Sequence, residues 1–185
     1  AAQAQSAGVS VYQYMDQLAE NSPAGARGLV YLPYLSGEKA PIWDPNARGV
    51  FFNMSLATGY GDFLRAVMEG VAFSLRDCLR IMPESTGSQR PIPLGGGAAN
   101  SRVWCQIFAD VLGRPILQLR SFETETLGAM ILAAQSIGIR SIPRDFGKKL
   151  AQTGTLLMPN PNNRDVYSQR FEVYQKLYQK VRDLF

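Results

Sequence analysis

The sequence predicts an α/β domain with parallel pairing and helices on both faces, and three observations carry that prediction. Residues 90–116 read as strand, glycine turn, helix and the opening of a further strand: R-P-I-P-L-G-G-G-A-A-N-S-R-V-W-C-Q-I-F-A-D-V-L-G-R-P-I. Short β-prone runs alternate with stretches of helical apolar spacing, an order that favours parallel pairing and a site at strand carboxyl ends. The 185 residues are 46% apolar, enough for one large packed domain.

Taken in order, residues 1–8 are small and polar and read as a frayed start. Val11, Tyr14, Met15 and Leu18 recur at helical spacing within residues 9–20, and Pro23 and Gly25 end that helix. A lone helix before the first strand suggests a chain entered partway through a larger protein. Residues 29–35 are apolar and β-prone, with Pro33 ending the strand or placing it at an edge. Residues 36–46 form a long loop holding Glu38, Lys39, Trp43 and Asp44. Such a loop either serves a site or is pinned to the core by Trp43, and the second reading is preferred. Residues 49–55 read as a second strand.

Residues 62–82 carry the broadest apolar face, from Leu64 to Met82, and are expected to be buried on most sides. Arg65 and Glu69, four apart on this helix, are expected to form a structural ion pair; orienting a loop at a site is the alternative. Residues 115–119 read as a fourth strand and residues 121–126 as an acidic turn, with Glu123 and Glu125 favourable at the start of the next helix. In that helix, residues 127–139, Gly128, Ala129, Ala133 and Ala134 would allow close packing on a sheet or another helix. Residues 143–152 read as a short helix or turn. Tyr167, Phe171, Tyr174, Tyr178, Val181 and Phe185 then mark a helix facing the core.

Composition excludes several functions. Histidine is absent, which removes Ser-His-Asp and Cys-His catalysis and histidine metal sites from this chain. A net charge of +4, spread along the chain without a basic and aromatic run, argues against nucleic acid. No signal peptide is read and no apolar run is long enough to span a membrane, so a cytoplasmic protein without a membrane partner is expected. Cys78 and Cys105 lie in apolar helical patterns and read as small core residues in a reducing compartment.

The candidate site is the turn Gly95-Gly96-Gly97 with the cap residues Asn100 and Ser101. Free N–H groups at a helix start, with no side chains in the way, suit a phosphate, a ribose or a purine edge. Asn100 breaks the dinucleotide pattern G-x-G-x-x-G, and the phosphate-loop pattern is absent. Spacing alone therefore leaves two readings open, a ligand cradle and a plain connector.

Several stretches together resemble the carboxy-terminal domain of the FGGY carbohydrate kinases, a family that includes xylulokinases, glycerol kinases, gluconokinases and ribulokinases. Residues 32–41 (L-P-Y-L-S-G-E-K-A-P) are similar to L-P-Y-L-x-G-E-R-x-P, with Lys39 where arginine is usual. Residues 44–49 (D-P-N-A-R-G) are similar to D-P-x-A-R-G. Residues 49–70 match a second signature ending in R-A-V-x-E-G, with Asn53 where glycine is usual. Residues 95–110 resemble the adenosine motif G-G-G-A…W-x-Q-x-x-A-D, and residues 123–134 resemble E-T-x-x-L-G-A-x-x-L-A.

The resemblance implies an actin-like, ribonuclease H-like ATPase domain, α/β with a mixed sheet and helices on both faces, spanning residues 1–185. In such kinases two domains close on ATP with Mg2+ and on a sugar or polyol, and an aspartate acts as general base. That aspartate, the sugar pocket and the first phosphate loop belong mainly to an amino-terminal domain expected to lie outside this chain, so no catalytic residue is assigned. The adenine contacts carry over to Gly96, Gly97 and one of Asn100 and Ser101. The implied partners are ATP or ADP and a sugar or polyol, a xylulose-type ketose being favoured, with a homodimer left open. The alternatives are a dinucleotide-binding module, with Glu123 as its ribose-binding acid, and a non-catalytic nucleotide sensor of the same fold.

Overall fold

The computed structural model describes residues 2–82, 90–119, 124–139 and 154–185. The expected acidic residue Glu123, the side chain of Glu125 and the expected turn at 143–152 lie outside the described residues. Two short helices, α1 (Ala2–Ser6) and α2 (Val11–Glu20), open the chain. The expected frayed start is thus helical through Ser6, because Ala4 is buried at 2% exposure. Strands β1 (Val30–Leu32) and β2 (Val50–Phe52) pair antiparallel. Helix α3 (Tyr60–Ile81) follows, then β3 (Ile92–Leu94), α4 (Arg102–Leu112), β4 (Ile116–Gln118) and α5 (Thr124–Ser136). Strand β5 (Thr155–Leu157) and helix α6 (Arg164–Val181) close the chain.

Strands β3, β4 and β5 form a mixed sheet. Ile92 to Leu94 run parallel to Ile116 to Gln118, and β5 pairs antiparallel with β4 through Ile116 and Leu157. The parallel pair agrees with the expected crossover. Strand β5 was not expected: three residues carry too little periodicity to announce a strand, and its partner lies about forty residues away.

Helix α3 is the packing centre and touches α2, α4 and β1. Gly70 is what lets α3 lie so close to β1, since a Cβ there would stand 2.5 Å from the Tyr31 carbonyl oxygen. Asn53, the departure from the family pattern, sits at φ 68°. Asparagine tolerates that left-handed region, and its Nδ2 donates to the Gly28 carbonyl at 3.1 Å.

Helix α6 lays Tyr167, Phe171, Tyr174 and Tyr178 into the main core, each at 8% exposure or less. Phe185 lies beyond the helix at 37% exposure. The two cysteines are free; Cys105 is fully buried and Cys78 is half-buried, its thiol donating to the Ala40 carbonyl at 3.3 Å. Among the described residues no helix is long and apolar enough to cross a membrane.

Two packing expectations are corrected. Trp43 does not pin the long loop to the core: it is 75% exposed at φ 48°. The loop is held instead by reciprocal backbone bonds between Glu38 and Asp44 at 2.8 Å and by the Tyr178 hydroxyl on Asp44 Oδ2 at 2.8 Å. The small residues of α5 show no such close approach among the described residues either, and Ala129 and Ala133 are exposed. A Cβ at Gly128 would find nothing within 4 Å, and Met130 and Leu132 are 53% and 69% exposed.

Candidate functional site

The glycine turn sits at the carboxyl end of β3. The Leu119 amide donates to the Leu94 carbonyl at 2.9 Å, so the sheet ends where the glycines begin. Gly96 adopts φ 70°, ψ −161°, a conformation open in practice only to glycine. Gly97 has no such backbone demand and opens a short 3₁₀ turn, Gly97–Asn100. A Cβ at either glycine would find nothing within 4 Å. The turn is therefore an open cradle, not a packed connection.

The sequence leaves Asn100 and Ser101 as alternatives, and the structure distinguishes their surroundings. Ser101 is the N-cap of α4: its hydroxyl oxygen accepts the Trp104 amide at 3.0 Å and its hydroxyl donates to Asp16 Oδ1 at 2.8 Å. Both capacities of that hydroxyl are engaged. Asn100 stands one residue earlier on the 3₁₀ turn, exposed, and its side-chain amide forms no hydrogen bond among the described residues. Gln118 Nε2 donates to the Ala99 carbonyl at 2.7 Å, which fastens the turn to β4.

Gly97, Asn100 and Ser101 line one cavity of about 940 Å³, and Gly96 adjoins it. The opposite wall is the start of α2, from Ser10 to Asp16, and the floor is Leu64, Val67 and Met68 of α3 with Trp104 of α4. Trp104 is fixed by donating its indole N–H to the Met68 carbonyl at 3.1 Å. Ser10 and Gln13 bond reciprocally as a capping box, with the Gln13 amide on Ser10 Oγ at 3.1 Å and the Ser10 amide on Gln13 Oε1 at 3.0 Å. This wall is absent from the sequence reading, although S-V-Y-Q carries the capping-box spacing.

The walls are mostly apolar, and among the described residues lining the cavity none is a lysine or arginine. Such a surface fits a flat heterocycle and its ribose better than a triphosphate. Cys105, just beneath the turn, has its thiol pushed up to about 11 by burial, with the Asp16 charge adding to the effect. It is a packing group and no nucleophile. Among the described residues no group of three or more Asp, Glu or Cys side chains gathers as a metal-ligand set.

Arg65 and Glu69 are remote from this chemistry. They form a buried pair at 2.8 Å, 8% and 1% exposed, within a network that joins α2, α3 and α6. The structural reading of this pair agrees with the observed burial.

Residues 1–137 match the family model for the C-terminal domain of the FGGY family of carbohydrate kinases. A xylulose kinase from Staphylococcus epidermidis is 36% identical over 167 residues, covering 90% of this chain and 34% of that protein. A gluconokinase from Bacillus subtilis is 33% identical over 132 residues, covering 71% of this chain and 26% of that protein. The crystal structure of a xylulose kinase from Rhodospirillum rubrum superposes with a TM-score of 0.76 at 34% identity, over 94% of this chain and 34% of that one. The chain thus spans between about a quarter and a third of the length of these relatives, and its α/β fold with a mixed sheet is that of the ribonuclease H-like, actin-like ATPases. It belongs to the FGGY family of carbohydrate kinases, whose C-terminal domain it matches.

Proposed function

We propose that this chain is the nucleotide-positioning lobe of an ATP-dependent sugar or polyol kinase, with a xylulose-type ketose as acceptor. One observation carries the reading: the open glycine cradle at Gly96 and Gly97 faces an apolar cavity of about 940 Å³. Adenine would lie against the Gly97 backbone, between the α2 wall and Trp104. Asn100 offers a free amide to its polar edge, and Ser101 acts through the helix cap. The xylulose preference rests on the xylulose kinases among the relatives, which cover 90% or more of this chain.

Bound ATP supplies the γ-phosphoryl group. In-line transfer depends on positioning and electrostatic stabilisation, with little covalent work for the protein. In this proposal the chain holds the base and ribose so that the triphosphate leaves the cavity toward the rest of the kinase. Mg2+ is assigned to the phosphates and to the amino-terminal domain. The sugar pocket and the general base belong to that domain too.

Thermal-shift titration of the intact protein tests the reading. ATP and ADP should raise the melting temperature in a saturable way, and NAD should not. Protection by NAD alone would favour a dinucleotide module. Protection by ATP without xylulose-dependent ADP release would favour a sensor or another acceptor.

A further inference from the structure

A second cavity, of about 490 Å³, lies at the other end of α4, between its last turn and the start of α6. Arg76, Arg164, Ser168 and Asn160 line it, together with Asp110 and Gly113. Arg76 is half-buried. Its guanidinium lies over the Phe171 ring at 4.4 Å and reaches the Tyr167 carbonyl at 3.4 Å. Among the described residues no carboxylate pairs with it, and burial pushes its pKa down. A half-buried cation without a counter-ion is costly unless something supplies one. Arg164 likewise has no carboxylate partner among the described residues.

Asp110 lines the same cavity but forms no ion pair with either arginine among the described residues, and both its oxygens accept from other donors. Oδ1 accepts from Gln106 Nε2 and from the Asn160 amide, each at 2.7 Å, and Oδ2 accepts from Asn163 Nδ2 at 2.7 Å. That last bond turns Asn163 away from its own helix, so α6 begins without a side-chain cap. The start of this 18-residue helix lines the cavity through Arg164 and Ser168, with the Arg164 amide bonded to the Pro161 carbonyl and Asp165 in the first turn.

We propose that this cavity binds a phosphate-class oxyanion between Arg76 and Arg164, with Ser168 as a further donor. The site stands at the opposite end of α4 from the glycine cradle. The cavity is roomier than phosphate needs, and the last turn of α4 offers carbonyls along another wall. Those suit hydroxyl groups and admit a sugar phosphate as well as free phosphate.

Calorimetric titration of the intact protein with inorganic phosphate, at constant ionic strength, tests the proposal. Saturable binding is expected, weakened about tenfold or more by Arg164→Met or by Arg76→Met. Gly97→Val, altered only at the nucleotide cavity, should leave it unchanged. Ribose 5-phosphate is the second probe: tighter binding than phosphate identifies a sugar phosphate, and equal binding identifies the free ion. Absence of saturable binding, or binding unaltered by Arg164→Met, overturns the site. Arg164 is exposed, so its variant decides the matter even where Arg76→Met disturbs the packing on Phe171. Phosphate binding abolished by Gly97→Val but kept in both arginine variants would assign the phosphate to the nucleotide cavity and also overturn the proposal.

Discussion

The hydroxyl of Tyr167 donates to Oε1 of Glu69 at 2.9 Å across 98 residues of sequence, and neither residue is more than 1% exposed. The same oxygen accepts Arg65 Nε at 2.8 Å and the Gly25 amide at 2.9 Å. Arg65 completes the ring by donating to the Tyr167 oxygen at 2.8 Å and to the Ala19 and Ser22 carbonyls. Burial pushes the Glu69 carboxyl up, while Arg65, the Gly25 amide and the Tyr167 hydroxyl pull against it. Three segments distant in sequence are joined at one carboxylate.

Glu69→Ala should therefore act on stability. It leaves Arg65 buried and unpaired, at a cost of about 3–5 kcal/mol. For a domain of this size that corresponds to a drop of roughly 6–20 °C in melting temperature. Nucleotide affinity, measured below the new melting point, should change much less. A Glu69→Ala protein with unaltered melting temperature but lost turnover would move this pair from the scaffold to the site.

Asp44 predicts a pH effect. Its carboxylate accepts the Tyr178 hydroxyl at 2.8 Å and the Asn46 and Ala47 amides at 2.9 and 3.2 Å. The hydroxyl bond, followed by the amides, holds its pKa below the usual carboxylate range. A depressed folded-state pKa gives stability that is present above the ordinary value of about 4 and is lost as pH falls through the folded value. Urea midpoints for the wild type and Asp44→Asn should differ at pH 6 and converge toward pH 3. A constant difference across that range would show that Asp44 stabilises without titrating.

The legible and illegible parts of the fold divide by range. The glycine turn, α4 and the aromatic stripe of α6 follow from local spacing, and the parallel pair β3 and β4 follows from their order. Strand β5 does not, because its pairing with β4 is a long-range choice. Trp43 is misleading in the sequence: tryptophan usually packs, but at φ 48° this residue points outward from a loop held by Asp44. At the candidate site, the glycine turn was legible and the wall facing it was not. Ser10 and Gln13 show a capping box locally, yet nothing local says that this helix start faces Gly97.

Assigning the base and the sugar pocket to another domain implies that this chain alone transfers no phosphoryl group. Among the described residues lining its cavity none is cationic, so those residues would do little to stabilise charge on a transferring phosphoryl group. Coupled ADP-release assays with xylulose, glycerol and gluconate should read background for the isolated chain. Turnover above a mock-purified control would refute the division of labour.

Gly97 gives the sharpest test of the nucleotide cavity. Gly96 takes a left-handed backbone, so a side chain there would be strained whatever the ligand, and its variants are ambiguous. Gly97 is free of that demand and has nothing within 4 Å of its would-be Cβ, so Gly97→Val should fold without a clash. The added methyl groups then project into the space proposed for adenosine. Steric intrusion of this kind costs on the order of 1–3 kcal/mol, which is roughly ten- to hundredfold in affinity. ATP binding by the intact kinase should weaken by that factor, while sugar binding, assigned to the other domain, should change far less. An unchanged circular dichroism spectrum and melting temperature would show that α4 and its Ser101 cap remain. A folded Gly97→Val protein that binds ATP as tightly as the parent would make the glycine turn a connector and remove the site from this cavity.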